Sequence, residues 1–177
     1  MNKYIAFLRA INVGGTTIIK MSDLKAMFES FGLKNVQTYI QTGNVIFESS
    51  EKDAAMLEQQ IERQLEKASG KRIRLFVRTM REVVQIVENC PFDPKEDETV
   101  HVVILEKKPD AKAVNTLLTQ RSKADDFAVT GREAYNLRRD REKSIFSNNW
   151  IEKVLGVAGT TRNLTTMKKL VEKYGRA

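Results

Sequence analysis

Residues 3–15 read Lys-Tyr-Ile-Ala-Phe-Leu-Arg-Ala-Ile-Asn-Val-Gly-Gly. The span Lys3–Arg9 predicts a strand that is apolar on both faces, and therefore one central in its sheet. It runs abruptly into polar groups and paired glycines. Glycine after a strand lets the backbone take positive φ and lets another group approach closely. Arg9, Asn12, Gly14, Gly15 and, further on, Lys20 make this loop a candidate holder of an anion. The competing reading is a connector that only needs positive φ, with Asn12 bonding its own backbone.

Outward from that strand, Ser22 reads as the N-cap of a helix. Leu24, Met27, Phe28 and Phe31 follow the helical stripe, and Gly32 stops it. Strands at Val36–Ile40 and Asn44–Glu48 flank the turn Gln41-Thr42-Gly43. A long helix over 53–69 carries Leu57, Ile61 and Leu65 on one side and ends at Gly70, before a strand at Ile73–Arg78. The order is β-α-β-β-α-β, the ferredoxin-like arrangement.

Thr79-Met80-Arg81-Glu82 is a capping box opening a third helix, which Pro91 terminates. The acidic loop Asp93 to Glu98 marks the boundary between halves spanning 1–90 and 91–177. Beyond it come a strand at Val100–Leu105, a helix capped by Asp110, and a hairpin of Asp126–Thr130 and Ala134–Arg138 around Gly131-Arg132. Two helices close the chain, near 147–155 and 161–174. The second half thus reads β-α-β-β-α, with a helix where a closing strand would complete the repeat. The fold class expected is α+β: two ferredoxin-like halves plus C-terminal helices.

The chain has 177 residues, 41% hydrophobic, with one cysteine, one histidine and a net charge of +7. That leaves material for a core and excludes an internal disulfide. No apolar run is long enough to cross a bilayer, and the amino terminus lacks a secretory leader pattern. A cytoplasmic protein without a membrane partner is expected. Basic and acidic side chains number 13 and 10 up to residue 90, 4 and 6 over 91–119, and 13 and 7 from 120 onward. The basic final third suits an acidic partner or ordinary solvated surface.

Exclusion narrows the chemistry. His101 lies in an apolar strand and reads as a packed residue; Cys90, beside Pro91, reads as a buried, inert thiol. There is no H-E-x-x-H, no C-x-x-C, no nucleophile elbow and neither glycine-rich phosphate-loop pattern. No metal and no cofactor is predicted, and the residues single out no catalytic group while leaving open whether a reaction is catalysed. Asp125-Asp126 reads as a strand-entry turn. Trp150 shares a helical face with Ile151, Val154 and Leu155, which favours packing within the core or between subunits.

One further anion feature stands out. The last helix is expected to begin at Thr160-Thr161-Arg162-Asn163, with no acid in its first turn. Helix starts carry free N–H groups and partial positive charge, so an arginine there invites an anion. The plainer reading is a Thr-capped helix whose arginine points into water. Gln41, Thr42 and Asn44 are hairpin residues whose uncharged groups would also orient a ligand.

Arg9 to Gly15, Lys20-Met21 with Leu24, Tyr39 to Phe47, and Leu155-Gly156 with Thr160 to Asn163 occur in order along the chain. Together they resemble the bacterial family named domain of unknown function 1697. The resemblance implies two ferredoxin-like halves and no established activity. Members commonly open R-G-I-N-V-G-G, and here Ala10 replaces the first glycine. Ser147-Asn148 is similar to the family's T-N step, while Ile145 stands where many relatives carry lysine.

The leading expectation is a binder of a phosphorylated or carboxylated small molecule between the halves. Arg9, Asn12, Gly14, Gly15, Lys20, Gln41, Thr42, Asn44, Thr161, Arg162 and Asn163 would line it. The alternatives are nucleic-acid binding by the basic final third and a structural homodimer; both monomer and homodimer are compatible with the sequence.

Overall fold

The computed structural model describes residues 1–13 and 17–176. The chain divides into two units, Met1–Val83 and Val84–Ala177, each built on one four-stranded antiparallel sheet.

In the first unit the elements are β1 (Asn2–Leu8), α1 (Met21–Ser30), β2 (Lys34–Tyr39), β3 (Asn44–Ser49), α2 (Ala54–Ser69) and β4 (Leu75–Thr79). The strand order is β2-β3-β1-β4, so β1 is central, as its two apolar faces require. Tyr4, Ala6 and Leu8 pack with Phe47, Leu75 and Val77 beneath Leu24 and Phe28 of α1 and Leu57, Ile61 and Leu65 of α2. The Tyr4 and Phe47 rings stack at 5.6 Å. Asp53 caps α2 by accepting the Ala55 and Met56 amides, and Gly70 ends it in the left-handed conformation.

Ser22 is not the cap of α1. Lys20 occupies that position in extended conformation, with no side-chain cap. The chain turns earlier than the residue types suggest because Ile19 is already pinned by Asn12, as described below.

In the second unit, α3 (Met80–Glu88) crosses the division between units. It is followed by β5 (Thr99–Leu105), α4 (Ala111–Leu118), β6 (Asp125–Thr130), β7 (Glu133–Arg138), α5 (Asn148–Leu155), β8 (Gly159–Asn163) and α6 (Leu164–Tyr174). The capping box on α3 forms: the Thr79 amide donates to Glu82 at 2.7 Å and the Glu82 amide to Thr79 Oγ1 at 3.1 Å. The strand order β6-β7-β5-β8 repeats that of the first unit. Both halves are therefore ferredoxin-like.

This corrects the C-terminal reading. Gly159–Asn163 is the closing strand of the repeat, and the last helix starts only at Leu164. The β-branched Thr160 and Thr161 suit a ladder. Gly159 admits it, since a Cβ there would stand 2.8 Å from the Ile104 carbonyl oxygen.

The two units protect one sheet edge in the same way. Glu58 and Glu62, one turn apart on α2, accept the Val77 and Leu75 amides of β4 at 2.7 and 3.0 Å. Asn148 and Glu152, one turn apart on α5, bond Gly159 and Thr161 of β8. Each edge strand finds its missing partner in the helix that precedes it, which blunts strand addition there.

The core of the second unit gathers Val103, Leu105, Phe127 and Ala134 with Leu117, Ile151 and Leu155. Trp150 packs on Phe127 at 5.4 Å, the packed role expected of it. A polar chain is threaded through this core. His101 stacks on Phe146 at 4.8 Å and its Nδ1 meets Asn136 Oδ1 at 3.0 Å. Asn136 Nδ2 donates to Asp125, which also accepts the Ser144 hydroxyl and the Ile145 amide. Asn136 Nδ2 also donates to the Asp126 carbonyl at 3.3 Å, a group that can only accept, so the Asn136 oxygen faces His101 and the His101 Nδ1 carries the hydrogen. Asp125 is thus a buried anchor at the head of β6 rather than a mere turn residue.

Burial pulls the His101 pKa below its ordinary 6.5, opposed by the bond to Asn136; Arg138 lowers it further and Asp125 raises it. The unfolded chain therefore binds this proton more readily than the folded one. The contribution of neutral His101 to stability is complete above about pH 6.5 and is lost as pH falls through the folded value. Urea unfolding of the native protein is expected to weaken on acidification by up to about 1.4 kcal/mol per pH unit more than that of His101→Gln; parallel profiles would refute it.

Candidate functional site

At one end of the first sheet, the loop after β1 and the turn between β2 and β3 are clamped together by Asn12. Its Nδ2 donates to the carbonyls of Ile19 and Gln41, both at 2.9 Å, and its Oδ1 accepts the Ile19 amide at 2.9 Å. Its own amide donates to Thr17 at 2.8 Å. One side chain thus joins three segments that lie up to 29 residues apart. The Leu8 amide donates to Gly43 O, and the Arg9 amide to Arg74 O, at 2.9 and 2.8 Å. The start of β4 therefore reaches the same end of the sheet.

The turn is held from within by Asn44. It is fully buried and donates to Tyr39 O at 2.9 Å and Thr42 Oγ1 at 3.1 Å. Gly43 faces the loop: at φ 90° it lies flat against Ile11, and a Cβ there would stand 2.7 Å from Ile11 Cδ1 and 3.0 Å from Leu8 Cβ.

Three non-glycine residues here take left-handed conformations: Ala10 at φ 55°, Asn12 at 55° and Ile40 at 51°. Asparagine tolerates this region, whereas for a β-branched residue it is an outlier costing about 1–2 kcal/mol. Strain of this kind persists only where surrounding structure imposes it, and it gathers at functional sites.

The segments 9–20 and 39–44 contain no carboxylate. They carry Arg9, half-buried, and Lys20, exposed; Arg74 lies over the Phe76 ring at 5.5 Å. Of the residues expected to form a site, Arg9, Asn12, Lys20, Gln41, Thr42 and Asn44 are brought together here. Asn12 directs its amide to the chain's own carbonyls and Asn44 to one carbonyl and the Thr42 hydroxyl, so they shape the site. Gly14 and Gly15 lie outside the described residues.

Thr161, Arg162 and Asn163 belong to β8 in the second unit, and the cradle expected of them at a helix start does not exist. Arg162 is in a strand, 6% exposed, paired in register with Val102. Its Nη1 donates to Thr160 Oγ1 at 2.8 Å and to Thr161 O at 2.9 Å. Burial draws its pKa down to about 10, so it stays charged at neutral pH. Thr161 donates to Asn148, and Asn163 precedes α6 without capping it through its side chain.

The basic final third is also partly neutralised. Arg121 and Arg139 pair with Asp126 at 2.9 and 3.4 Å, and Arg138 donates to Ser144 and to the Phe146 carbonyl. Cys90 is half-buried rather than buried, and its thiol is pushed up by that burial. Among the described residues no cluster of three His, Cys, Asp or Glu side chains has metal-binding geometry, and no helix is long and apolar enough to cross a membrane.

Compared with known proteins, residues 1–135 match the family described as protein of unknown function (DUF1697), and the chain belongs to that family. The match includes the Asn12 clamp and ends before Arg162. A solved structure of the same fold is that of the conserved bacterial protein SP0830 from Streptococcus pneumoniae, with a TM-score of 0.73, 20% identity and 99% of each chain covered. A search of curated proteins finds no match.

Because Gly43 combines a positive φ with a contact that leaves no room for a methyl group, Gly43→Ala is expected to cost about 2–4 kcal/mol in urea unfolding. A change within about 0.5 kcal/mol would show that loop and turn do not touch as described.

Proposed function

We propose that this protein binds a phosphorylated or carboxylated small molecule, and that the Asn12-clamped end of the first unit supplies the anion contacts. The observation that carries this reading is the pairing of Lys20 and Arg9 with two hydrogen-bonded segments free of carboxylates. Strained left-handed residues in the same place support it. A cation beside a pre-organised backbone binds an oxyanion through charge-assisted hydrogen bonds, which are shorter and stronger than neutral ones.

Nucleic-acid binding through the final third is less well supported, since Arg121 and Arg139 share Asp126 and Arg138 is held by its own loop. Thermal stability across a panel of phosphorylated metabolites, carboxylates and oligonucleotides separates the readings, because a ligand of the folded state raises Tm by mass action. A specific small-molecule shift is expected, with affinity falling about 5- to 20-fold in Lys20→Ala. A response to all oligonucleotides alike, erased by moderate salt, would overturn the proposal in favour of nucleic acid.

A further inference from the structure

We infer that the ligand of this site is amphipathic: a phosphate or carboxylate head joined to an apolar body. This rests on the anion reading above and adds the chemistry of the rest of the molecule.

Among the described residues, six large apolar side chains are exposed: Met1, Val13, Ile18, Ile40, Met56 and Ile145. Three of them belong to the clamp. Val13 is 58% exposed and follows Asn12; Ile18 is 71% exposed and precedes Ile19; Ile40 is 46% exposed and precedes Gln41. Each is the chain neighbour of a residue joined through the Asn12 amide. Neighbouring Cα atoms are about 3.8 Å apart, so these three residues lie on adjoining segments held together by the clamp.

Isolated exposed aliphatics are ordinary, whereas a cluster on one hydrogen-bonded feature marks a binding surface. Lys20 follows Ile19 directly, which sets a cation at the margin of the cluster.

Ile40 adds a second, independent observation. Its φ of 51° is one that asparagine or glycine would adopt with less strain. Turn chemistry alone does not select isoleucine there; what the side chain supplies is apolar surface. An anion with an apolar body would cover Val13, Ile18 and Ile40 while its head meets Lys20. A bare ion or a sugar phosphate would leave them in water.

Calorimetric titration with inorganic phosphate, octyl phosphate, octanol and phosphatidylglycerol vesicles tests this, using the full chain and the variants Ile18→Ser and Ile40→Asn. Both substitutions are at exposed positions, and the second suits the local backbone. Octyl phosphate is expected to bind at least about tenfold more tightly than inorganic phosphate, as burial of several methylenes requires. The two variants together are expected to remove most of that gain and leave phosphate binding unchanged.

Equal affinity for the two phosphates would overturn the amphipathic inference and leave the anion site standing. Failure of both to bind would overturn the anion site itself. Octanol binding as tightly as octyl phosphate would overturn the role of the charged head. Binding to vesicles without binding of monomeric octyl phosphate would overturn the inference in favour of a membrane surface.

Discussion

The carboxamide of Asn12 makes three hydrogen bonds, to both polar backbone groups of Ile19 and to the carbonyl of Gln41. Much of what distinguishes this end of the molecule follows from that contact. It fixes where the loop after β1 ends, and so where α1 begins. It holds the β2–β3 turn against Ile11, a fit that only a glycine at position 43 allows. It also joins the segments that carry the exposed Val13, Ile18, Lys20 and Ile40. An isolated amide bond contributes about 1 kcal/mol, but several from one half-buried group order segments that would otherwise move independently.

The second unit repeats the topology with different chemistry. Its sheet has the same strand order, and its preceding helix covers the β8 edge as α2 covers β4. Where the first unit stacks Tyr4 on Phe47, the second runs a chain from His101 through Asn136 to Asp125 and out to Ser144. That chain fastens the segment before α5 to the head of β6. The Asn12 clamp has no counterpart among its described residues, which places the candidate site in the first unit.

The elements whose signals are local were legible in the sequence. Asp110 caps the helix it precedes, Thr79 and Glu82 form their box, and the β-α-β-β-α-β order appears from periodicity and turn residues alone. The failures are non-local. Arg162 reads as a helix start because the run Thr160 to Asn163 is polar; it is a strand because β5 offers an edge 56 to 62 residues earlier in the chain. A closing strand demanded by the repeat was the available signal. Asp125 is buried only because Ser144 and Ile145 fold over it. Ser22 has a cap's chemistry, but Asn12 pins Ile19 and the helix begins before serine is reached.

The site and its proposed ligand both depend on Asn12 holding its three partners, and Asn12→Gly tests this most directly because it removes the amide while keeping a residue at ease with φ 55°. Native-state hydrogen exchange at the Ile19 amide, read alongside urea unfolding, is the measurement. Loss of protection at Ile19 with about 1.5–3 kcal/mol of lost stability is the expected result. Retained protection at Ile19, with stability changed by less than about 0.5 kcal/mol, would mean that the loop is held by something else.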